Sequence, residues 1–104
     1  MHPDGKPAQN DIVRAHIWVK GRVQGVGFRA HVEYGARQIG GLTGWVRNVG
    51  WKTVEAIAEG EREQVDRFIE MMKQGPSYSR VDEWTVKWED VTGEFQEFGV
   101  ERSL

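Results

Sequence analysis

Between Val19 and Phe28 the spacing of apolar residues in this chain changes period. Before the crossing, Val13, Ala15, Ile17 and Val19 alternate with Arg14, His16, Trp18 and Lys20. A period of two marks a half-buried strand, here Ile12 to Lys20. After it, Phe28, Val32, Ala36 and Ile39 recur at helical spacing, so Phe28 to Ile39 reads as an amphipathic helix stopped by Gly40-Gly41. The crossing, Gly21-Arg22-Val23-Gln24-Gly25-Val26-Gly27, holds three glycines, and Arg29 stands where the helix begins. Glycine allows positive φ and close approach of the backbone to a ligand. The first amides of a helix lack intrahelical partners and carry partial positive charge. Such a loop can wrap a phosphate or a carboxylate, and Arg29 adds a planar, always-charged fork for the same anion. The residues alone leave a second reading open, a tight strand-to-helix turn with no ligand.

Two other phosphate loops fit less well. No Gly-Lys-Ser/Thr follows Gly25 or Gly27, which excludes the nucleotide-hydrolase P-loop. Gly25-Val26-Gly27-Phe28-Arg29-Ala30 meets the loose dinucleotide fingerprint, but the next strand ends in Asn48 where that fingerprint wants an acid.

The chain of 104 residues suffices for one domain with one core. It has no cysteine, which excludes disulfides and thiolate metal sites and fits a reducing cytoplasm. No apolar run reaches the length of about 18 residues that a membrane span needs, and the N-terminus lacks a signal-peptide apolar region. A net charge of −2 argues against a nucleic-acid binder, which would show a basic excess. Residues 1–11, polar with two prolines and a glycine, are expected to form a mobile arm before a domain over 12–104.

Thr43 to Val49 reads as a second strand, with Gly44, Val46 and Asn48 on one face and Thr43, Trp45 and Arg47 on the other. Gly50-Trp51-Lys52 connects it to a third, Thr53 to Glu59, with Val54, Ala56 and Ala58 inward; the short link implies an antiparallel hairpin. Val65, Phe68, Ile69 and Met72 form the stripe of a second helix that follows Gly60 and ends at Gly75-Pro76. Val81 to Trp88 alternates again, with Trp84, Val86 and Trp88 on one face. A turn over Asp90 to Glu94 leads to a short strand around Phe98 to Arg102. The order β-α-β-β-α-β plus a terminal strand predicts an α+β, ferredoxin-like sandwich, an antiparallel sheet with both helices on one face. The first strand and the first half of the hairpin are expected as neighbours at the sheet centre, which would bring Asn48 beside the glycine loop. There its amide could position a water next to a bound phosphate; the alternative is a hairpin residue favoured by turn chemistry. His16 is expected as a solvated strand residue, and His31 as a helix-surface residue with no partner at catalytic spacing.

At these residues the chain resembles a known family. Val19-Lys20-Gly21-Arg22-Val23-Gln24-Gly25-Val26-Gly27-Phe28-Arg29 resembles the first acylphosphatase signature, and Gly44-Trp45-Val46-Arg47-Asn48 with Val54 and Gly60 resembles the second. The likeness covers about Ile12 to Leu104. It implies a small ferredoxin-like enzyme that hydrolyses carboxyl–phosphate anhydrides to a carboxylate and inorganic phosphate. It implies that Arg29 binds the phosphate with backbone amides of Arg22, Val23, Gln24, Gly25, Val26, Gly27 and Phe28, and that Asn48 orients the attacking water. No metal, cofactor or covalent intermediate is expected, nor a carboxylate beside the site. The partners implied are a small acyl phosphate and its product phosphate, with a monomeric chain, no nucleic acid and no membrane. Because the chain stops at Leu104, a free-standing enzyme is expected rather than the front of a larger carbamoyl-transfer protein. A non-catalytic acyl- or carbamoyl-phosphate-binding domain is the alternative, and single-strand nucleic-acid binding through sheet aromatics such as Trp18 is a third reading. One position departs from the family pattern: Lys52 replaces the glycine usual in the hairpin turn, while Gly50 lies two places earlier. A Lys52 at positive φ would strain the turn by roughly 1 kcal/mol; a turn reshaped around Gly50 avoids this.

Overall fold

A computed structural model describes residues 11–104. The elements are β1 (Ile12–Arg22), α1 (Phe28–Ile39), β2 (Thr43–Val49), β3 (Thr53–Glu61), α2 (Arg62–Gln74), β4 (Arg80–Glu89) and β5 (Phe98–Val100). The strands lie in the order β4-β1-β3-β2-β5. All neighbours are antiparallel except β5, which runs parallel to β2. This is the expected ferredoxin-like sandwich. The arm expected over residues 1–11 lies outside the described residues apart from Asp11, whose carbonyl accepts from the Arg62 amide at 3.0 Å.

The core lies between the sheet and the two helices. Ala15, Ile17 and Val19 of β1 and Val54, Ala56 and Ala58 of β3 meet Val32 and Ala36 of α1 and Val65, Phe68 and Met72 of α2, all essentially buried. Phe68 packs on Phe98 with ring centroids 5.3 Å apart, which ties β5 to α2. Glu61 stands before α2 and its amide donates to Gln64 Oε1 at 3.3 Å, one arm of a capping box. Trp84 and Trp88 also face the helix layer, opposite Val19 and Ala15. They sit on an edge strand and stay half exposed, under Lys73 and Arg62 respectively, at 4.2 and 4.8 Å from the cations.

One expectation is corrected. β1 and β2 are not neighbours; β3 lies between them. The reason is burial. β3 is covered on both faces from Val54 to Gly60, as befits the central strand, whereas β2 is buried on one face only. Two carboxylates on its second face, Glu55 and Glu59, can lie there because each is neutralised. Arg47 Nε donates to Glu55 at 2.7 Å, and His16 Nε2 faces the same carboxylate at 2.6 Å. Arg14 and the amides of Thr92 and Gly93 hold Glu59 at 3.0–3.2 Å. His16 is thereby also corrected: its side chain is only 15 % exposed. It stacks on Trp18 at 3.8 Å and its Nδ1 faces Glu89 at 2.7 Å.

The β2–β3 turn is built on Gly50, at φ 59°. Among the described residues no non-glycine has positive φ, so Lys52 is unstrained. Gly44 is held more strictly. Its φ is +138°, and a Cβ there would fall 1.9 Å from the Ile57 carbonyl oxygen. Gly93 has φ +67° but open space where its Cβ would lie. Gly44→Ala is therefore expected to cost more than about 3 kcal/mol and Gly93→Ala about 1 kcal/mol, read from urea unfolding. Similar losses at both sites would refute the steric assignment.

The hydrogen bond with His16 lowers the Glu89 carboxyl below its ordinary 4.5, burial opposes this in part, and the His16 and Arg14 charges add to the lowering. Because the folded value lies below the unfolded one, this contribution to stability is complete above about pH 4.5 and disappears as pH falls through the folded value. Glu89→Gln is expected to destabilise the protein near neutrality and to match it in strong acid. A stability gap that does not change with pH would assign the loss to packing instead.

Candidate active site

β1 and α1 are joined by a short loop that Val23 and Phe28 pin to the core, with 0 % and 2 % of their surface exposed. Between these anchors Gly25 and Gly27 take left-handed φ of 73° and 76°. Gly27 is the N-cap of α1, so no side chain caps the helix, and its first turn contains no acid. The first amides therefore stay available, in a positive local field.

A cavity of about 340 Å³ opens on this loop. Val23, Gln24, Gly25, Gly27 and Phe28 form one wall, and Arg29, Ala30 and Glu33 of α1 another. Asn48 and Val100, from β2 and β5, close it. Arg29 Nη1 meets only Ser103 Oγ among the described residues, at 3.5 Å. Asn48 Oδ1 is buried and, among the described side-chain atoms, has no hydrogen-bond partner. Buried acceptors are nearly always satisfied, so an unpaired one on a residue that lines a cavity points to a donor from outside the chain. Amides, a guanidinium and a carboxamide make a donor set suited to an oxyanion.

A family model described as acylphosphatase matches residues 15–100. The chain belongs to the acylphosphatase family. It is 46% identical over 90 residues to an acylphosphatase of Roseiflexus, covering 86% of this chain and 96% of that protein. It is 49% identical over 81 residues to one of Thermococcus kodakarensis, covering 78% and 88%. Among solved structures it is similar to acylphosphatase from Bacillus subtilis, with TM-score 0.80, 35% identity and coverage of 86% of this chain and 98% of that one. It is also similar to part of full-length HypF in a phosphate- and nucleotide-bound form, with TM-score 0.79 and 33% identity, covering 89% of this chain and 12% of that one.

Of the acylphosphatase residues singled out from the sequence, the structure gathers Val23, Gln24, Gly25, Gly27, Phe28, Arg29 and Asn48 around the one cavity. Arg22 and Val26 are not among its lining. Arg22 is the last residue of β1 and lines a neighbouring depression. Val26 packs partly buried against the core. His31 is exposed on α1, as expected. Asn48 reaches the loop although β3 separates β2 from β1, because the hairpin end is brought back to the loop by Gln24. The Gln24 side-chain Nε2 donates to the carbonyls of Val49, Gly50 and Thr53 at 3.4, 3.1 and 2.8 Å.

That staple was not foreseen, since the sequence reading gives Gln24 a role only through its backbone amide, as part of the phosphate cradle. A second unforeseen feature is the segment after β5. It continues beside β2, with Glu101 and Leu104 amides donating to the Val46 and Asn48 carbonyls at 2.9 Å each. This pairing carries Ser103 to Arg29. A third is a correction: a carboxylate, Glu33, does line the cavity. It lies four residues after Arg29 and so on the same helix face, and Arg37, 3.3 Å away, offsets its charge.

Gln24→Ala should leave the hairpin untied. The expected outcome is about 1–3 kcal/mol of lost stability, with faster amide exchange confined to the 49–53 turn. Exchange unchanged in that turn would show that Gln24 does not hold it.

Proposed function

We propose that this chain is an acylphosphatase whose domain spans residues 12–104, hydrolysing carboxyl–phosphate anhydrides. The observation that carries the mechanism is the convergence of three features on one cavity: Arg29, the uncapped start of α1, and Asn48, whose buried Oδ1 has no hydrogen-bond partner among the described residues.

In this reading the phosphoryl oxygens sit among the amides of Val23, Gln24, Gly25, Gly27 and Phe28, and the Arg29 fork grips two of them. Asn48 Oδ1 accepts a hydrogen bond from a water and aims its oxygen at phosphorus, opposite the acyl oxygen. The new P–O bond forms from water as the bond to the acyl oxygen breaks. The electron pair leaves on the carboxylate, and the proton of the water passes to a phosphate oxygen. A carboxylate is a good leaving group, so no strong general acid is needed. Phosphoryl transfer asks the protein mainly for position and charge, which explains a site without an acid–base pair. No helix among the described residues is long and apolar enough to cross a membrane, and the proposal places the chain in the cytoplasm as a monomer that binds no nucleic acid.

Arg29→Ala and Asn48→Ala are each expected to cut kcat/KM for acetyl phosphate by at least about 100-fold while circular dichroism stays unchanged. Competitive inhibition by inorganic phosphate should be lost in the first variant and kept in the second. Arg29→Lys should also fail, because a point charge does not replace the fork, and chelators should leave the rate as it is. Phosphate binding without turnover in the wild-type chain would favour a carrier role and refute this one.

A further inference from the structure

The cavity has a neighbour across the loop. Val23 and Gln24 also line a second depression of about 330 Å³, whose rim carries Arg22, Trp51, Lys52 and Arg80. The fold concentrates positive charge here. Arg22 lies directly opposite Arg80 in the β1–β4 ladder, a like-charge pair that is unfavourable by itself. Gly21 permits this closeness, since a Cβ there would fall 2.2 Å from the Arg80 carbonyl oxygen. The Gly21 amide also donates to the Lys52 carbonyl at 3.0 Å, which brings the hairpin tip to the same place. One acid is present, Asp82, paired with Arg80 at 2.9 Å. Arg22 and Lys52 have no carboxylate partner among the described residues. The Trp51 side chain is spread at the tip with 91% of its surface exposed, against no packing that would explain it.

We infer that this depression receives the acyl half of the substrate and selects acyl groups bearing a second anion. The inference rests on the acylphosphatase reading and deepens it. A phosphoryl group held in the cradle leaves its acyl chain to cross the Val23–Gln24 wall. Beyond that wall a terminal carboxylate meets Arg22 and Lys52, and the carbons between lie on the Trp51 indole. Lys52 stands where the family pattern has glycine, and the Gly50 turn leaves that position free to carry a charged side chain.

The test compares succinyl phosphate with butyryl phosphate, which share a four-carbon chain and differ in the terminal carboxylate. Wild-type kcat/KM is expected to favour succinyl phosphate by about five- to tenfold, and 0.5 M salt should erase the difference. Lys52→Ala should lower the ratio about threefold, and Lys52→Glu should bring it below one. Equal rates for the two substrates in wild type, or a ratio unmoved by Lys52→Glu, overturn the inference and leave the enzyme reading intact. Free succinate that alters butyryl phosphate kinetics in a wild-type chain lacking the preference assigns the depression to a separate anion, and so also overturns it. A chain that hydrolyses neither substrate, nor acetyl phosphate, overturns the enzyme reading itself.

Discussion

Helix α1 starts on a left-handed glycine with no side chain bonded to its first amides. A Ser, Asp or Asn at that position would satisfy one amide and stabilise the helix by about 1 kcal/mol. The chain forgoes this, and burial offsets the loss. Val23 before the turn and Phe28 after it are both fully within the core, and each such side chain contributes about 1.5–3 kcal/mol. The cradle is therefore rigid because of what lies beneath it, and its hydrogen-bond donors remain free for a ligand. A side-chain cap would improve the helix and fill the site.

Positioning Asn48 is the harder task, because it sits on a strand that does not touch β1. Three supports converge on it. β3 holds β2 in register through Asn48 opposite Val54. The segment after β5 binds the Asn48 carbonyl from the other side. Gln24 ties the turn that follows to the loop itself. The carboxamide is thus fixed through its backbone, and its oxygen has no hydrogen-bond partner among the described residues. The ion network on the open face serves the same end at a distance. By neutralising Glu55 and Glu59 it lets β3 run through the sheet centre, and the hairpin end follows from that placement.

Much of this was legible in the residue pattern. The change of apolar period at the glycine loop located β1 and α1, and helical spacing located α2, because a single buried face imposes its repeat on the sequence. Two kinds of feature were not legible. β3 reads as a one-sided strand because Glu55 and Glu59 interrupt its second face, and only the cations of distant strands show that these acids are buried. His16 reads as solvated for the same reason, since the two carboxylates that hold it, Glu55 and Glu89, come from β3 and β4. Glu33 at the cavity edge and the Gln24 staple escaped because both depend on where side chains point in three dimensions. The Lys52 departure, by contrast, resolved as local chemistry suggests: Gly50 takes the positive φ and Lys52 is relieved of it.

That relief connects the turn to the electrostatics of the whole molecule. The formal charge of −2 speaks against a basic ligand-binding face, yet net charge describes the sum and not the distribution. The acids of the open face are consumed in pairs with Arg14, His16 and Arg47. At the other end, Arg22, Arg29, Lys52 and the start of α1 surround the loop, with Glu33 and Asp82 each held by its own arginine. A cleft of one sign between low-dielectric walls focuses field and raises the local concentration of an oppositely charged ligand. An acidic protein can in this way present a strongly anion-attracting mouth, provided its acids are paired with cations or lie elsewhere. The turn at Gly50 adds to that mouth by freeing position 52 for a charge that the backbone would otherwise have forbidden.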